Sequence, residues 1–227
     1  AARLSDYLPW AALVGSGVVL NKDGSFQRTA KFRGPDLDSA VAAELVAVAG
    51  RINNAFRRLG SGWSIFVEAQ RSEAATYPDS TFPDAASALT DAERKAQFEE
   101  EGSHFESRYY LTFLWLPPAE DAVRAETWLY EGREQSGVDP WELLRGFIDR
   151  TDRVLALLDG FMPECRWLDD TETLTHLHST ISTNQQHVRV PEVPIHLDAL
   201  LADQPLTGGL EPRLGDAHLR VLTIVGF

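Results

Sequence analysis

The sequence is poor in cysteine and contains no long hydrophobic run. Its single cysteine, Cys165, excludes an internal disulfide bond and any metal site built from several cysteines. We expect this thiol to be buried or half-buried, since only Arg166 beside it could activate it. The most apolar stretch, 7–20, is broken by proline and glycine and is shorter than the ~20 residues that span a bilayer. The sequence therefore predicts no membrane-spanning helix and a cytosolic location.

The motif that binds nucleotide phosphates is also missing. A phosphate-binding loop needs GxxxxGK[ST], and no glycine in this chain is followed by lysine. Gly15-Ser16-Gly17 matches half of a GxGxxG motif, but Leu20 replaces the third glycine and a strand follows instead of a helix. The stretch 64–68, SIFVE, is similar to a strand that ends in a catalytic acid, a common pattern without a phosphate loop. We predict no nucleotide-binding residue in these 227 residues.

Positive charge is scarce. Lys and Arg total 21 against 34 Asp and Glu, which gives a net charge of −13. A nucleic-acid-binding surface is normally basic, and anionic lipid also attracts basic segments. The charge therefore argues against direct binding of DNA, RNA or anionic membranes and favours protein partners.

No group of side chains forms a recognisable catalytic or metal site. His176 and His178 are two residues apart on a predicted helix, where they point to opposite sides and cannot share a metal ion. We expect one of them at the surface and the other half-buried. Asp169 and Asp170 precede the same helix and are interpreted as capping residues. HExxH and GxSxG are absent, so the sequence predicts no catalytic, cofactor-binding or metal-binding residue.

What the sequence does contain is an uncharged run at the centre of the chain. Residues 109–116, YYLTFLWL, are apolar, aromatic or threonine, and two prolines follow them. Such a run predicts a strand buried on both faces, at which pairing stops with the prolines. A strand with no polar face requires cover above and below, so helices must pack on the sheet.

The other patterns predict the partners of this strand. Residues 17–34 form a predicted β-hairpin with an Asp23-Gly24 turn, and its second strand has one partly wet face, with Gln27, Thr29 and Lys31. The fold class is α/β, with a mixed but mainly antiparallel sheet covered by helices and a more helical C-terminal third. The predicted strands besides the hairpin are 62–70, 108–116 and 218–226. The predicted helices are 38–59, 84–107, 139–160 and 170–181, with a helical turn at 195–202.

Further details concern the connecting segments and the packing of the first long helix. Helix 38–59 carries an apolar stripe that is expected to face the core. The stripe comprises Val41, Leu45, Val48, Ile52, Phe56 and Leu59. Residues 119–139 are predicted to be irregular, with a helical turn near Trp128, and 206–216 to be a loop. The length suits one domain, 1–227, and leaves open whether 161–227 forms a separate sub-lobe.

Three segments carry a resemblance to a known family. They are DYLPWAALVGSGVVLNKDGSFQ (6–27), SRYYLTFLWLPP (107–118) and LTGGLEPRLGDAHLRVLTIVGF (206–227). They resemble the N-terminal region of ATPases of the CagE/TrbE/VirB family of type IV secretion. The resemblance covers essentially the whole chain, and DYLPW and GGLEPRLGD are its more specific segments.

The resemblance implies a function for the whole protein and a more limited one for this segment. It implies a RecA-like domain beyond residue 227 that binds ATP and Mg²⁺, with no catalytic residue in this chain. It implies an N-terminal domain that engages other secretion components at the inner membrane and helps a homo-oligomer to assemble. The location would be the bacterial cytoplasm, peripheral to the inner membrane.

Two alternatives remain open on the sequence alone. One is a self-contained hydrolase that uses His, Asp and Glu of the C-terminal third. The other is a domain that binds a peptide along the open edge of its sheet.

Overall fold

The structure of the chain is a computed structural model, and it describes residues 3–74, 76–100, 104–118, 139–193 and 195–222. The helices within these ranges are α1 (Leu4–Tyr7), α2 (Ala42–Phe56), α3 (Ala85–Glu100), α4 (Pro140–Asp159), α5 (Asp170–Ile181) and α6 (Leu197–Leu201). The strands are β1 (Trp10–Gly15), β2 (Val18–Asn21), β3 (Phe26–Arg33), β4 (Trp63–Glu73), β5 (Phe105–Trp115), β6 (Glu164–Trp167), β7 (Leu206–Thr207), β8 (Arg213–Leu214) and β9 (Ala217–His218).

The main sheet has the strand order β1-β2-β3-β5-β4, and β6 also pairs with β3. Every pairing among these strands is antiparallel. The predicted hairpin is confirmed as β2 and β3, and the strands predicted at 62–70 and 108–116 are confirmed as β4 and β5. An α/β fold with a mainly antiparallel sheet covered by helices is therefore confirmed.

The central strand β5 is buried on both faces over its second half, as its composition predicts. Leu111 and Phe113 face one side of the sheet, and Tyr110 and Thr112 face the other, yet all four are buried. Thr112 meets Thr29 of β3, and their hydroxyl oxygens are 2.8 Å apart. The paired hydroxyls allow two polar side chains to be buried without an unsatisfied donor.

Helices cover the sheet on both sides. One face packs against α4 and the end of α2 in a cluster of buried residues. The cluster comprises Ala30, Ala55, Leu111, Phe113, Val154, Leu155, Leu158 and Cys165. The other face packs against α1, α5 and α6 around a second cluster. Its members are Leu4, Leu8, Trp10, Val19, Leu174, Leu177, Val188, Leu197, Leu201 and Leu214.

This second layer corrects the prediction of a partly wet hairpin face. Gln27 and Thr29 are buried, and only Lys31 stays half-exposed. The main-chain oxygen of Thr29 accepts a 3.0 Å hydrogen bond from the amide of Leu168, which brings the start of α5 onto this face. Polar residues on a strand therefore did not indicate solvent here.

The turn between β1 and β2 contains the Gly-Ser-Gly motif and fixes α5 against the sheet. The amide of Gly17 donates a 2.6 Å hydrogen bond to a carboxylate oxygen of Asp170. Gly17 has φ +64°, and a Cβ atom there would lie 2.3 Å from the main-chain oxygen of Leu168. The close approach requires glycine for a packing reason.

Other elements differ from the prediction. The helix predicted at 84–107 ends at Glu100, because Phe105–Ser107 pair with Arg71–Glu73 as part of the β4–β5 ladder. Strands β1 and β6 were not predicted. β6 has four residues and becomes a strand by pairing with the end of β3, a contact that local sequence does not reveal.

The strand predicted at 218–226 is wrong for its described residues. Only Ala217–His218 form a strand, which pairs with Arg213–Leu214 across a tight turn in a separate three-stranded sheet with β7. Residues 219–222 have no strand partner, so their β-rich composition is not expressed as a strand. Residues 223–226, the irregular segment 119–138 and its helical turn near Trp128 lie outside the described residues.

Candidate interaction surface

The N-terminal half of α2 is apolar and exposed. Residues 42–49, AAELVAVA, contain one charged residue, Glu44. Val46 is 72% exposed, Val41 61% and Leu45 44%. A helix that is apolar on all sides is normally buried in a core, in a membrane or against a partner. This half-helix therefore presents a surface that is suited to contact with another molecule.

The exposure corrects the prediction of a continuous inward stripe along this helix. Only the C-terminal half packs on the domain: Ala55 is buried, and the Phe56 ring lies edge-on to Phe113 at 6.2 Å between centroids. The Arg51 guanidinium lies over the Phe161 ring beyond the end of α4. Helical periodicity predicts which side chains share a face, but not how far the neighbouring layer extends beneath them.

The start of α2 is well formed despite its exposure. The amide of Val41 donates a 3.0 Å hydrogen bond to the Glu44 carboxylate, and the amide of Leu45 donates to the Val41 oxygen. A carboxylate at the first turn also interacts favourably with the helix dipole. The apolar surface is thus carried by an ordered helix. The signal that could have indicated it is the lack of any polar face in residues 42–49.

A polar pocket of about 420 Å³ lies on the opposite face of the sheet, beside α5. Three basic side chains from β3, β5 and β6 line it, and each has a carboxylate neighbour. The pairs are Lys31–Glu164, Arg108–Glu106 and Arg166–Glu172. With its basic side chains already paired, the pocket offers no unpaired positive charge to an anionic ligand.

The two histidines of α5 are both buried, which corrects the expectation of one surface and one half-buried side chain. The helix itself is confirmed, and its two histidines point in different directions. His176 stacks on Tyr110, with 4.2 Å between ring centroids, and His178 lies 3.1 Å from the carboxylate of Asp203. Both are buried because α5 is enclosed by the sheet on one side and by the segment after it on the other.

Burial lowers the pKa of His176 to about 4. The nearest carboxylate, Glu68, is 3.6 Å away and partly exposed, so its attraction does not offset the loss of hydration. His176 is therefore neutral in the folded chain at neutral pH.

The low pKa of His176 predicts a pH-dependent stability. In the unfolded chain this histidine titrates near pH 6.5, so protonation favours unfolding as the pH falls from 6.5 towards about 4. The stability is fully present above pH 6.5. We expect the thermal midpoint of His176→Gln to fall less steeply over this range than that of the unmodified protein. A matched change at the exposed His187 should leave the slope unaltered, and equal slopes for His176→Gln would contradict the assignment.

The remaining sequence candidates have structural roles. Cys165 is buried, and burial raises the pKa of its thiol to about 11, so it is not an activated nucleophile. Asp169 caps α5 by accepting a hydrogen bond from the amide of Glu172, which confirms its interpretation as a cap. Glu68 accepts a 2.7 Å hydrogen bond from the side chain of Gln70.

Two absences among the described residues agree with these structural roles. Within those ranges, no cluster of three or more His, Cys, Asp or Glu side chains is arranged to hold a metal ion. No helix in the described portion of the chain is long and apolar enough to cross a membrane. What the described residues offer most clearly is therefore a surface for contact and not a reaction centre.

Comparison with known proteins gives the class of this domain. A family model described as "Type IV secretion system ATPase VirB4/TrbE, N-terminal domain" matches residues 17–123. That range runs from the β1–β2 turn to just beyond β5, and so contains the exposed half of α2.

Two curated relatives are more specific. "Conjugal transfer protein TrbE" of Rhizobium radiobacter is 35% identical over 240 residues, which cover 98% of this chain and 29% of the relative. A probable conjugal transfer protein TrbE of Sinorhizobium fredii (strain NBRC 101917 / NGR234) is 44% identical over 116 residues, which cover 50% of this chain and 78% of the relative. The chain belongs to the VirB4/TrbE family, as the N-terminal domain of a type IV secretion ATPase of conjugation. It spans less than a third of the length of the Rhizobium radiobacter relative.

Proposed function

We propose that this domain docks a conjugation ATPase onto other type IV secretion components at the cytoplasmic side of the inner membrane. The observation that carries the proposal is the exposed apolar half of α2. The domain would position the motor and support its assembly into a homo-oligomer, while ATP and Mg²⁺ bind elsewhere in the longer protein. The absence of GxxxxGK[ST] from these residues supports that division of labour.

The chemistry of the surface favours a protein partner. Val41, Leu45 and Val46 are aliphatic, and the first turns of α2 carry no basic residue that could bind phosphate groups. The net charge of −13 opposes contact with anionic lipid or nucleic acid. The partner surface that fits is an apolar groove or a second amphipathic helix, in which side chains spaced by one helical turn act as anchors.

The test is a double substitution, Leu45→Asp with Val46→Asp, in the full-length ATPase. Two carboxylates in an apolar interface should weaken docking by roughly 2 kcal/mol or more, about 30-fold in affinity. We expect loss of co-fractionation with the membrane and of conjugal transfer, with ATP turnover of the purified protein unchanged. The substituted side chains are exposed, so folding should be preserved.

The matched control is Leu89→Asp, an exposed leucine on another helix, α3, at 67% exposure. It introduces the same charge on the same kind of element and should leave transfer unaltered. Normal transfer and normal membrane co-fractionation in the double variant would show that α2 is not the docking surface.

A further inference from the structure

Strand β4 is a long edge of the main sheet. It has eleven residues and pairs with β5 along its whole length in an unbroken register. At its other side, no strand among the described residues pairs with it. An edge strand presents a row of main-chain donors and acceptors that can pair with another chain.

The usual protection of an edge is missing from the first half of β4. Proteins commonly guard such edges with proline, lysine, a bulge or a very short strand. Residues 63–67, WSIFV, contain none of these and no charge. Phe66 on one face and Val67 on the other are 54% and 68% exposed. Two large apolar side chains thus stand at an edge that is open among the described residues.

We infer that two copies of this chain pair through β4, in antiparallel orientation, with Phe66 of each copy at the two-fold axis. Such an axis is perpendicular to the sheet and keeps every side chain on its own face. Because side chains alternate between faces, the axis must pass through a residue of β4. The candidate registers are therefore few and can be compared one by one.

The register centred on Phe66 gives favourable neighbours at every position. The two Phe66 rings meet, and Ile65 lies opposite Val67 of the second copy. Ser64 lies opposite Glu68, whose carboxylate can accept a hydrogen bond from the hydroxyl, and Trp63 lies opposite Ala69. Aromatic and β-branched cross-strand pairs of this kind stabilise a sheet. Seven residues of each copy, 63–69, take part.

The neighbouring registers are less favourable. An axis at Val67 places Phe66 opposite Glu68, and an axis at Glu68 places two carboxylates opposite each other, which is destabilising. An axis at Ile65 pairs only five residues within β4 and leaves each Phe66 opposite Ser64. The charges at the far end of the strand thus select the position of the axis.

Cysteine cross-linking tests the register directly. Directly opposite residues in antiparallel strands have Cα atoms ~4.5–5.5 Å apart, within the range of a disulfide bond. Phe66→Cys should therefore give a covalent dimer on mild oxidation, seen on a non-reducing gel. Val67→Cys faces its own copy only diagonally, at about 7–8 Å, and should remain largely uncross-linked. Cys165 is buried and should not interfere.

Val46→Cys, which is more exposed than Phe66 but lies on α2, controls for random collision. A dimer from Val67→Cys but not from Phe66→Cys would overturn the register. Equal cross-linking of all three variants, or of none, would overturn the pairing itself.

A second measurement does not depend on cysteine. Sedimentation of the unmodified protein should give the mass of two chains, and Phe66→Lys, which places a guarding charge at the axis, should give the mass of one. A single-chain mass for the unmodified protein at the same concentrations would refute the interface. This outcome is independent of α2, since a failure of docking by the Leu45 and Val46 variants leaves β4 untouched.

Discussion

Replacement of Phe113 by alanine is expected to lower the free energy of unfolding by about 3–5 kcal/mol, as truncation of a buried aromatic side chain does in a packed core. The ring is fully buried and lies edge-on to both Phe56 and Trp167. It thus joins α2 and β6 to the central strand, and its loss would leave a cavity shared by three elements. Chemical denaturation monitored by tryptophan fluorescence measures the change.

The same strand supplies the control. Phe105 lies at the exposed start of β5, where its ring contacts only the guanidinium of Arg71 among the described residues. Phe105→Ala removes the same number of atoms and should cost less than about 1 kcal/mol. A Phe113→Ala protein as stable as the Phe105→Ala protein would show that the core is loosely packed at the centre of the sheet.

Thr112→Asp should be as destabilising as the loss of Phe113 and should leave little folded protein at room temperature. The side chain is buried, and its hydroxyl lies against Thr29, which is also buried. A carboxylate there would be desolvated with no described cation beside it, at a cost of several kcal/mol. Thermal unfolding monitored by circular dichroism measures the effect.

Thr90→Asp provides the comparison, because Thr90 lies on the exposed helix α3. The change there should stay within about 0.5 kcal/mol. An unchanged melting temperature for Thr112→Asp would mean that water reaches the face covered by α5.

The core of the fold could be predicted because its signal is local. Residues 110–115 carry no charge on either face, and a strand of that composition cannot be stable unless it is covered on both sides. Strand β6 gave no such signal. Its four residues form a strand only because β3 offers an edge that is far away in the sequence.

The candidate surface was harder to predict for a related reason. Val41 and Leu45 have the spacing of core residues, and spacing alone cannot distinguish a helix that packs from one that extends beyond its neighbours. His176 illustrates the reverse error. A polar side chain was expected near the surface, whereas the aromatic ring of Tyr110 and the layer of α5 enclose it.

The position of β3 between β2, β5 and β6 has a consequence for the order of synthesis. The strand leaves the ribosome early, yet a portion of its edge and one of its covering helices come from residues after 160. About 60 residues separate Trp115 from His176, which at roughly 5–20 residues per second corresponds to about 3–12 seconds of translation. During that interval the apolar strand β5 has been made but the helix that covers one of its faces has not. The nascent domain therefore presents an uncovered sheet for seconds, a state that a ribosome-associated chaperone would recognise.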